Sequence, residues 1–343
     1  MKDTTIAVDI AKDVFEIGVS SEPGKVESTH RLSRAKFLRF FSNRTVATVV
    51  MEACGSAHYW GREIEKLGHR VVLLPPHTVS PYVQRSKTDR TDVKGILEAS
   101  RNQDIKPVPV KSIAQHSIVA LHRFRSAWMA TRVARINMLR GLLRELGIFI
   151  PVGARNVVPR VLELVEDADG PLPHAVRESF YQTCTEIREL DKRISQMNWQ
   201  LELLCRQIPA CTCLRTIPGI GVLTATALVA FIGDIQRFRS GRQFANFLGI
   251  TPREHSSGKV RRLGRISKQG DAYLRTLLNH GARAVLWHAH KTNPPDRLRA
   301  WAMKKAAQRG HNKAVTAIAN KLARISWAVW KHGTEFQSYP QAA

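Results

Sequence analysis

Acidic residues are scarce in this sequence: 28 Asp+Glu stand against 53 Lys+Arg, a formal charge of +25 at pH 7. Such an imbalance favours a polyanionic partner, nucleic acid before membrane, because no long basic amphipathic anchor accompanies it. The deficit is uneven. Residues 251–343 carry 18 Lys+Arg and 4 acids, more than half of the excess, so the C-terminal quarter is the expected polyanion-contacting region. Cysteine is equally sparse. Five, an odd number in 343 residues, give no disulfide framework, and Cys211 and Cys213 form a C-x-C without the second pair that a zinc site requires. Long apolar runs are missing as well: the longest, around "VLTATALVAFIG", falls short of the roughly 20 residues of a membrane span. The N-terminal "MKDTTIAVDIAKD" meets acids at once and does not read as a signal peptide. A cytoplasmic, nucleoid-associated protein with no membrane partner is expected.

What is present is apolar content of 43%, enough to build real cores in two or three domains. The first hundred residues alternate in type. "TTIAVDIAKDVFEIGVS" reads as a β-hairpin, "TVATVVMEA" and "HRVVLLP" as buried strands, and "GSAHYWGREIEKLG" as a helix between the last two. "KPVPVKS" then reads as a linker, because its prolines interrupt any regular element. Residues 117–146 form a long helical pattern closed by Gly147, and a Pro/Gly-bearing connection follows to Pro173. Phe180, Ile187, Ile194 and Leu201, with Leu190, Met197 and Leu204 three residues behind the last three, make a heptad seam. That seam can close on the preceding helix or serve as a dimerisation surface; the second favours a homo-oligomer, a dimer or tetramer. The expected division is 1–106 for the α/β domain, 113–206 for a coiled-coil helical region and 207–335 for a mainly α C-terminal domain.

The stretch "RSKTDRTDVKGILEAS" carries the first chemical signal. Ser86 and Asp89 have capping-box spacing, yet Asp89 and Asp92 share one helical face with Val93, Ile96 and Leu97. Two carboxylates that prolong an apolar stripe repel each other unless a cation lies between them, and a hard divalent metal suits oxygen ligands. Two more acids fit the same site. Asp9 interrupts the strand "TIAVDIA" and Glu52 closes the strand "VATVVMEA". An acid in a first strand, another ending a later strand and two on a following helix is how ribonuclease-H-like nucleases assemble a two-metal site.

The motifs "AVDIAKD", "MEACGS", "KTDRTDV", "IPGIG", "FLGITPREHSSGK", "LGRISKQGD" and "LRTLLNHGARAV" resemble, in order and over nearly the whole chain, the DEDD-type transposases of insertion-sequence family one-ten, most of all its subgroup eleven-eleven. The resemblance implies a RuvC-like (RNase H-like) N-terminal domain, a coiled-coil segment and a C-terminal transposase domain. It implies Mg²⁺ held by Asp9, Glu52, Asp89 and Asp92 and a catalytic serine, Ser257, with Ser256 the adjacent alternative. It also implies donor and target DNA recognised through a bridge RNA transcribed from the element.

Arg253, Lys259, Arg261, Arg262, Arg265 and Lys268 surround that serine and are the expected nucleic-acid contacts. Gly219 and Gly221 join them, in a turn of helix-hairpin-helix type whose amides can hold a phosphate. Three other readings compete. A Holliday-junction-type nuclease would use the same acids with water as nucleophile. An actin-like kinase should show small hydroxyl and glycine residues after the first aspartate, where "DIAKD" has a lysine. A non-enzymatic RNA or DNA binder would leave the acids idle. His280, His288 and His290 lack the i, i+4 spacing of a metal helix, and Trp287, Trp327 and Trp330 are expected in or near the core.

Overall fold

The first two strands are buried on both faces, and their period of two sends Ile6, Val8, Phe15, Ile17 and Val19 into one core cluster and Ala7 into another. The computed structural model describes residues 4–83, 89–258, 260–291 and 296–338, and leaves the side chains of Asp89 and Arg90 undescribed. Two compact units emerge, one of Met1–Gln115 with Ile232–Asp234, the other of His116–Phe231 with Ile235–Ala343.

The first unit is a mixed α/β layer. β1 (Thr5–Ile10), β2 (Val14–Ser20) and β3 (Ser28–Ser33) are followed by α1 (Arg34–Ser42), β4 (Thr48–Glu52), α2 (Ala57–Lys66), β5 (Arg70–Leu74), α3 (Pro76–Val79) and α4 (Asp89–Arg101). The sheet order is β3-β2-β1-β4-β5. The first three strands pair antiparallel, whereas β4 and β5 run parallel to β1. On one face Phe37 and Phe41 of α1 and Trp60 and Ile64 of α2 cover the sheet, with Phe15 stacked on Phe37 at 4.2 Å. On the other, Val93, Ile96 and Leu97 of α4 cover Ala7, Val50 and Leu74. Gly18 makes that second contact possible: a Cβ there would stand 2.4 Å from Val93 Cγ1.

Sequence and structure part in several places here. β3, "STHRLS", has no apolar run because it is an edge strand, and periodicity alone does not find it. The segment expected as a linker is pinned instead: the Val108 amide donates to the Leu73 carbonyl at 2.7 Å, and Val108 and Val110 pack on the core. The two prolines that argued against a strand flank a single residue that satisfies the open edge of β5. The Ser86 cap lies outside the described residues.

The second unit is mostly helical. It contains α5 (Ile113–Glu145, whose first turn belongs to the first unit), α6 (Val157–Glu166), α7 (His174–Gln207), α8 (Pro209–Arg215) and α9 (Val222–Ile232). Next come α10 (Gly241–Phe247), the strands β6 (Pro252–Glu254) and β7 (Leu263–Ile266), and then α11 (Ala272–Ala289), α12 (Arg297–Arg309) and α13 (His311–His332). Gly147 ends the α5 region at φ 72°, as a left-handed C-terminal cap requires. The expected Pro/Gly connection contains α6, because Val157, Val161 and Leu164 recur at helical spacing and bury into the cluster of Leu139, Leu143 and Ile187. Pro159 is tolerated in its first turn, where its missing N–H has no helical partner to lose.

The heptad seam of α7 closes inside the chain. Phe180 and Ile187 pack against Ile136, Leu139 and Leu143 of α5, and Leu201 against Ile118. Ion pairs Arg132–Asp191 at 2.5 Å and Arg135–Glu186 at 2.6 Å fix the antiparallel register. The seam is therefore not an open dimerisation surface. Trp287 also departs from expectation: it is 66% exposed, on the outer face of α11.

A buried polar knot ties α5, α9 and α11. His122 is 1% exposed, with Nε2 at 3.0 Å from Thr226 Oγ1 and Nδ1 at 2.9 Å from the Tyr273 hydroxyl. Because the Thr226 hydroxyl donates to the Val222 carbonyl, it accepts from His122 Nε2–H, and Nδ1 accepts from Tyr273. Burial first, and the Arg125 charge second, lower the His122 pKa to about 4. A depressed histidine contributes stability above its unfolded pKa of about 6.5 and loses it as pH falls toward 4. The unfolding free energy should drop by about 2 kcal/mol between pH 7 and pH 5 from this group. Urea titrations at the two pH values check it: His122→Gln, which cannot take up the proton, should show a pH dependence smaller by that amount.

Candidate active site

Strand register brings two of the four acids together. The parallel pairing of β1 with β4 runs through Val8 opposite Met51, so Asp9 and Glu52 follow on adjacent strands at the same end. Both share the parity of Ala7 and Val50, which face α4. Asp92 lies on α4, which packs across β1, and is partly buried. Asp89 is the first residue of that helix, and its side chain lies outside the described residues. The Cys54 thiol reports the local field: burial above all, then the Glu52 carboxylate and, more weakly, Asp9 push its pKa up.

The serine lies in the second unit, at the tip of a ribbon. β6 and β7 pair antiparallel and form its two arms. Ser257 and Val260 close the turn, with N···O distances of 3.3 and 3.1 Å, and Gly258 takes φ 56° inside it. The neighbouring serines differ in what they do. The Ser256 hydroxyl donates to Glu254 Oε1 at 2.7 Å and accepts from the Arg262 amide at 3.2 Å. That bond from Ser256, and then the Arg261 guanidinium, hold the Glu254 carboxyl below its ordinary range. Ser257 is exposed and makes no side-chain hydrogen bond among the described residues.

Comparison with known proteins supplies the context for this pair of features. Residues 6–148 match a DEDD-type transposase family, and residues 211–297 match the family described as "Transposase IS116/IS110/IS902 family". The chain is 40% identical to a probable family 20 transposase of Pseudomonas aeruginosa, over 97% of this chain and 98% of that protein. It is 39% identical to the transposase for insertion sequence element IS1111A of Coxiella burnetii, over 96% and 90%. A pilin gene-inverting protein of Moraxella lacunata is 24% identical over 98% of both chains. The chain belongs to the IS110 transposase family. It is thus an insertion-sequence transposase, an enzyme that cuts and rejoins DNA by phosphoryl transfer, and the reading as a non-enzymatic binder falls away.

Around the transposase's serine, the basic residues divide by use. Arg253 donates to the Ser267 carbonyl at 3.1 Å and Arg261 pairs with Glu254 at 3.2 Å, so both help hold the ribbon. Arg262, Arg265 and Lys268 are exposed, Lys268 at φ 56°, and Lys259 lies outside the described residues. Gly219 is packed tightly, since a Cβ there would meet the Gly281 carbonyl oxygen of α11 at 2.6 Å, whereas Gly221 opens onto free space before α9.

Sequence reasoning missed Glu16, which is opposite Asp9 in the β1–β2 register and 9% exposed. Arg31 of β3 follows opposite Glu16, so a cross-strand row runs Arg31, Glu16, Asp9 toward Glu52. Only strand pairing reveals it, because Glu16 sits in an ordinary alternating strand. Among the described residues no group of three or more His, Cys, Asp or Glu is arranged to hold a metal, and Asp89 is not among those groups' candidates. No helix of the described residues is long and apolar enough to cross a membrane.

Proposed function

We propose that the transposase cuts and rejoins donor and target DNA through a transient phosphoserine linkage at Ser257 of the second unit, and that the first unit is an RNase H-like domain whose Asp9, Glu52, Asp89 and Asp92 hold Mg²⁺. The observation that supports this reading is the position of Asp9 and Glu52 at the same end of adjacent strands, with side-chain parity toward the sheet face that α4, the helix of Asp92, covers. The strand order β3-β2-β1-β4-β5, antiparallel then parallel, supports the RNase H-like assignment. The donors are hard carboxylate oxygens, which suit Mg²⁺. Bound there, the metal would supply charge stabilisation at the phosphate.

The residues of the chain do the rest. Ser257 Oγ forms a bond to phosphorus as the P–O bond to the neighbouring nucleotide breaks, and the serine proton ends on the departing oxygen. One phosphoester replaces another, so a freed hydroxyl can reverse the step on a new strand without external energy. The bonding of Ser256 into the ribbon favours Ser257 as the nucleophile. Arg253, Lys259, Arg261, Arg262, Arg265 and Lys268 supply positive charge around it, and Gly221 offers an accessible turn to a phosphate. A guiding bridge RNA completes the reading, supported by the basic C-terminal quarter, which offers charge to a second polyanion; a homo-oligomer goes with it, on a surface other than the closed α7 seam.

Asp9→Asn or Glu52→Gln should lower Mg²⁺-dependent cleavage by about a hundredfold or more, since each removes a charged ligand worth several kcal/mol at the transition state. Cleavage of labelled element-end DNA measures this; activity within severalfold of the unchanged protein would remove the acids from the chemistry. RNA guidance is tested by sequencing the RNA that co-purifies with the transposase. A discrete species transcribed from DNA flanking the gene is expected, and random cellular RNA alone would overturn guidance.

A further inference from the structure

The second unit holds a cavity of about 1020 Å³ for which neither the acids nor the serine accounts. Its walls come from the start of α10, from Pro252 and Ile266 at the root of the serine ribbon, from α12 and from one face of α13. Its wall is mainly apolar, and the charge on it is of one sign. Arg242, Lys313, Lys321 and Arg324 line it without an acidic side chain, and none of these four forms an ion pair among the described residues. Two indoles share the wall. Lys321 Nζ stands 4.1 Å from the centroid of Trp301, and the Trp327 N–H donates to the Phe238 carbonyl at 3.2 Å, which holds that ring in place. Burial first, and the Arg324 charge second, keep the Lys321 pKa below the ordinary lysine range. An anion would relieve that crowding.

Each simpler occupant leaves part of this wall unused. A small anion would satisfy the cations and ignore the indoles, whereas an apolar molecule would do the opposite. A DNA duplex presents phosphates but keeps its bases stacked inside. Unpaired nucleic acid presents both a phosphate and an aromatic face, and proteins that hold single strands combine cationic grooves with aromatic side chains for that reason. The volume is at the upper end of the roughly 300–1,000 Å³ of ligand pockets, enough for a base with its sugar and phosphates.

We propose that this cavity receives an unpaired nucleotide of the DNA substrate, its base against Trp301 and Trp327 and its phosphates against Lys321, Arg324 and the flanking Arg242 and Lys313. DNA is the occupant because it is the polymer a transposase cuts and rejoins. The position agrees, since Pro252 and Ile266 belong to both the cavity and the ribbon of Ser257, and a base that leaves the stack near a reacting phosphate needs a receptor. The placement beside the reaction rests on the serine reading above, but the binding itself does not.

The test uses the full-length protein in EDTA, where cleavage does not run, so failure here leaves the serine step untouched. Fluorescence anisotropy follows a labelled 12-nucleotide single-stranded DNA, the same sequence as a duplex, and the same sequence as RNA. Lys321→Gln with Arg324→Gln keeps most of each side-chain stem and should weaken single-stranded DNA binding at least tenfold, while duplex binding changes less than threefold. The slope of log affinity against log salt should fall by about 1.4, at about 0.7 per lost phosphate contact. Trp301→Phe should retain most of the affinity that Trp301→Ala loses. Unchanged single-strand affinity, an equal loss for duplex, or an RNA strand that binds tighter than DNA with the same dependence on Lys321 and Arg324 would each overturn the proposal. A melting temperature of the double variant within a few degrees of the unchanged protein certifies that the loss is local.

Discussion

Ser257→Ala should eliminate covalent protein–DNA adducts and strand exchange, a loss of about a thousandfold or more, because it removes the nucleophile itself. Nucleic-acid binding should stay within about twofold, as expected for an exposed substitution that deletes no charge. Ser256→Ala is the informative partner. It breaks the bonds to Glu254 and the Arg262 amide that help hold the ribbon, so it should reduce cleavage only partially and leave adduct formation detectable. Denaturing electrophoresis of the transposase with labelled DNA in Mg²⁺ reads the outcome as a shifted, protease-sensitive band. A band that survives Ser257→Ala and vanishes with Ser256→Ala would move the nucleophile by one residue. Normal cleavage by both variants with no adduct would give the reaction to water.

The second large effect concerns stability. Gly281 sits in the middle of α11, where alanine would ordinarily gain about 1 kcal/mol of helix propensity. A Cβ at that position would stand 2.1 Å from the Gly219 carbonyl oxygen, and Gly219 holds φ 85° in the facing turn. Backbone cannot swing aside as a side-chain end can, so α11 and the turn must separate. Overpacking of this kind costs about 3 kcal/mol, which outweighs the propensity gain. Gly281→Ala should therefore destabilise the protein, whereas Gly141→Ala should stabilise it by up to about 1 kcal/mol. Gly141 lies within α5 with no atom near the added methyl. Guanidinium unfolding of both variants checks the opposite signs; a stabilised Gly281→Ala would show that the turn and α11 are not held together.

What could be read in advance follows from how local each signal is. Strands β1, β2, β4 and β5 announce themselves through apolar runs, and Asp9 and Glu52 are conspicuous because each interrupts or ends such a run. β3 is invisible for the opposite reason: its partner β2 supplies the pairing and its own residues are polar. Val108 escapes notice because two prolines surround it, and its role is set by an edge of β5 more than thirty residues away. Periodicity exposed the α7 seam but could not name its occupant, which required the matching face of α5. The two serines of "HSSGK" are indistinguishable as letters. Only the ribbon's alternation, which turns Ser256 toward Glu254, separates them.

Residues 232–234 leave the helical run that surrounds them and rejoin the first unit, where Gln115 donates to the Gly233 carbonyl at 3.4 Å and Pro109 fills the space beside that glycine. The chain therefore passes between the units three times, and no single scission yields two intact halves. A protease nick after Gln115 would leave this short return in the other fragment, and a stop codon there would delete it. For the same reason the acid-bearing half is not a cassette that recombination could trade by one crossover: a functional exchange must carry a second, three-residue splice more than a hundred positions downstream.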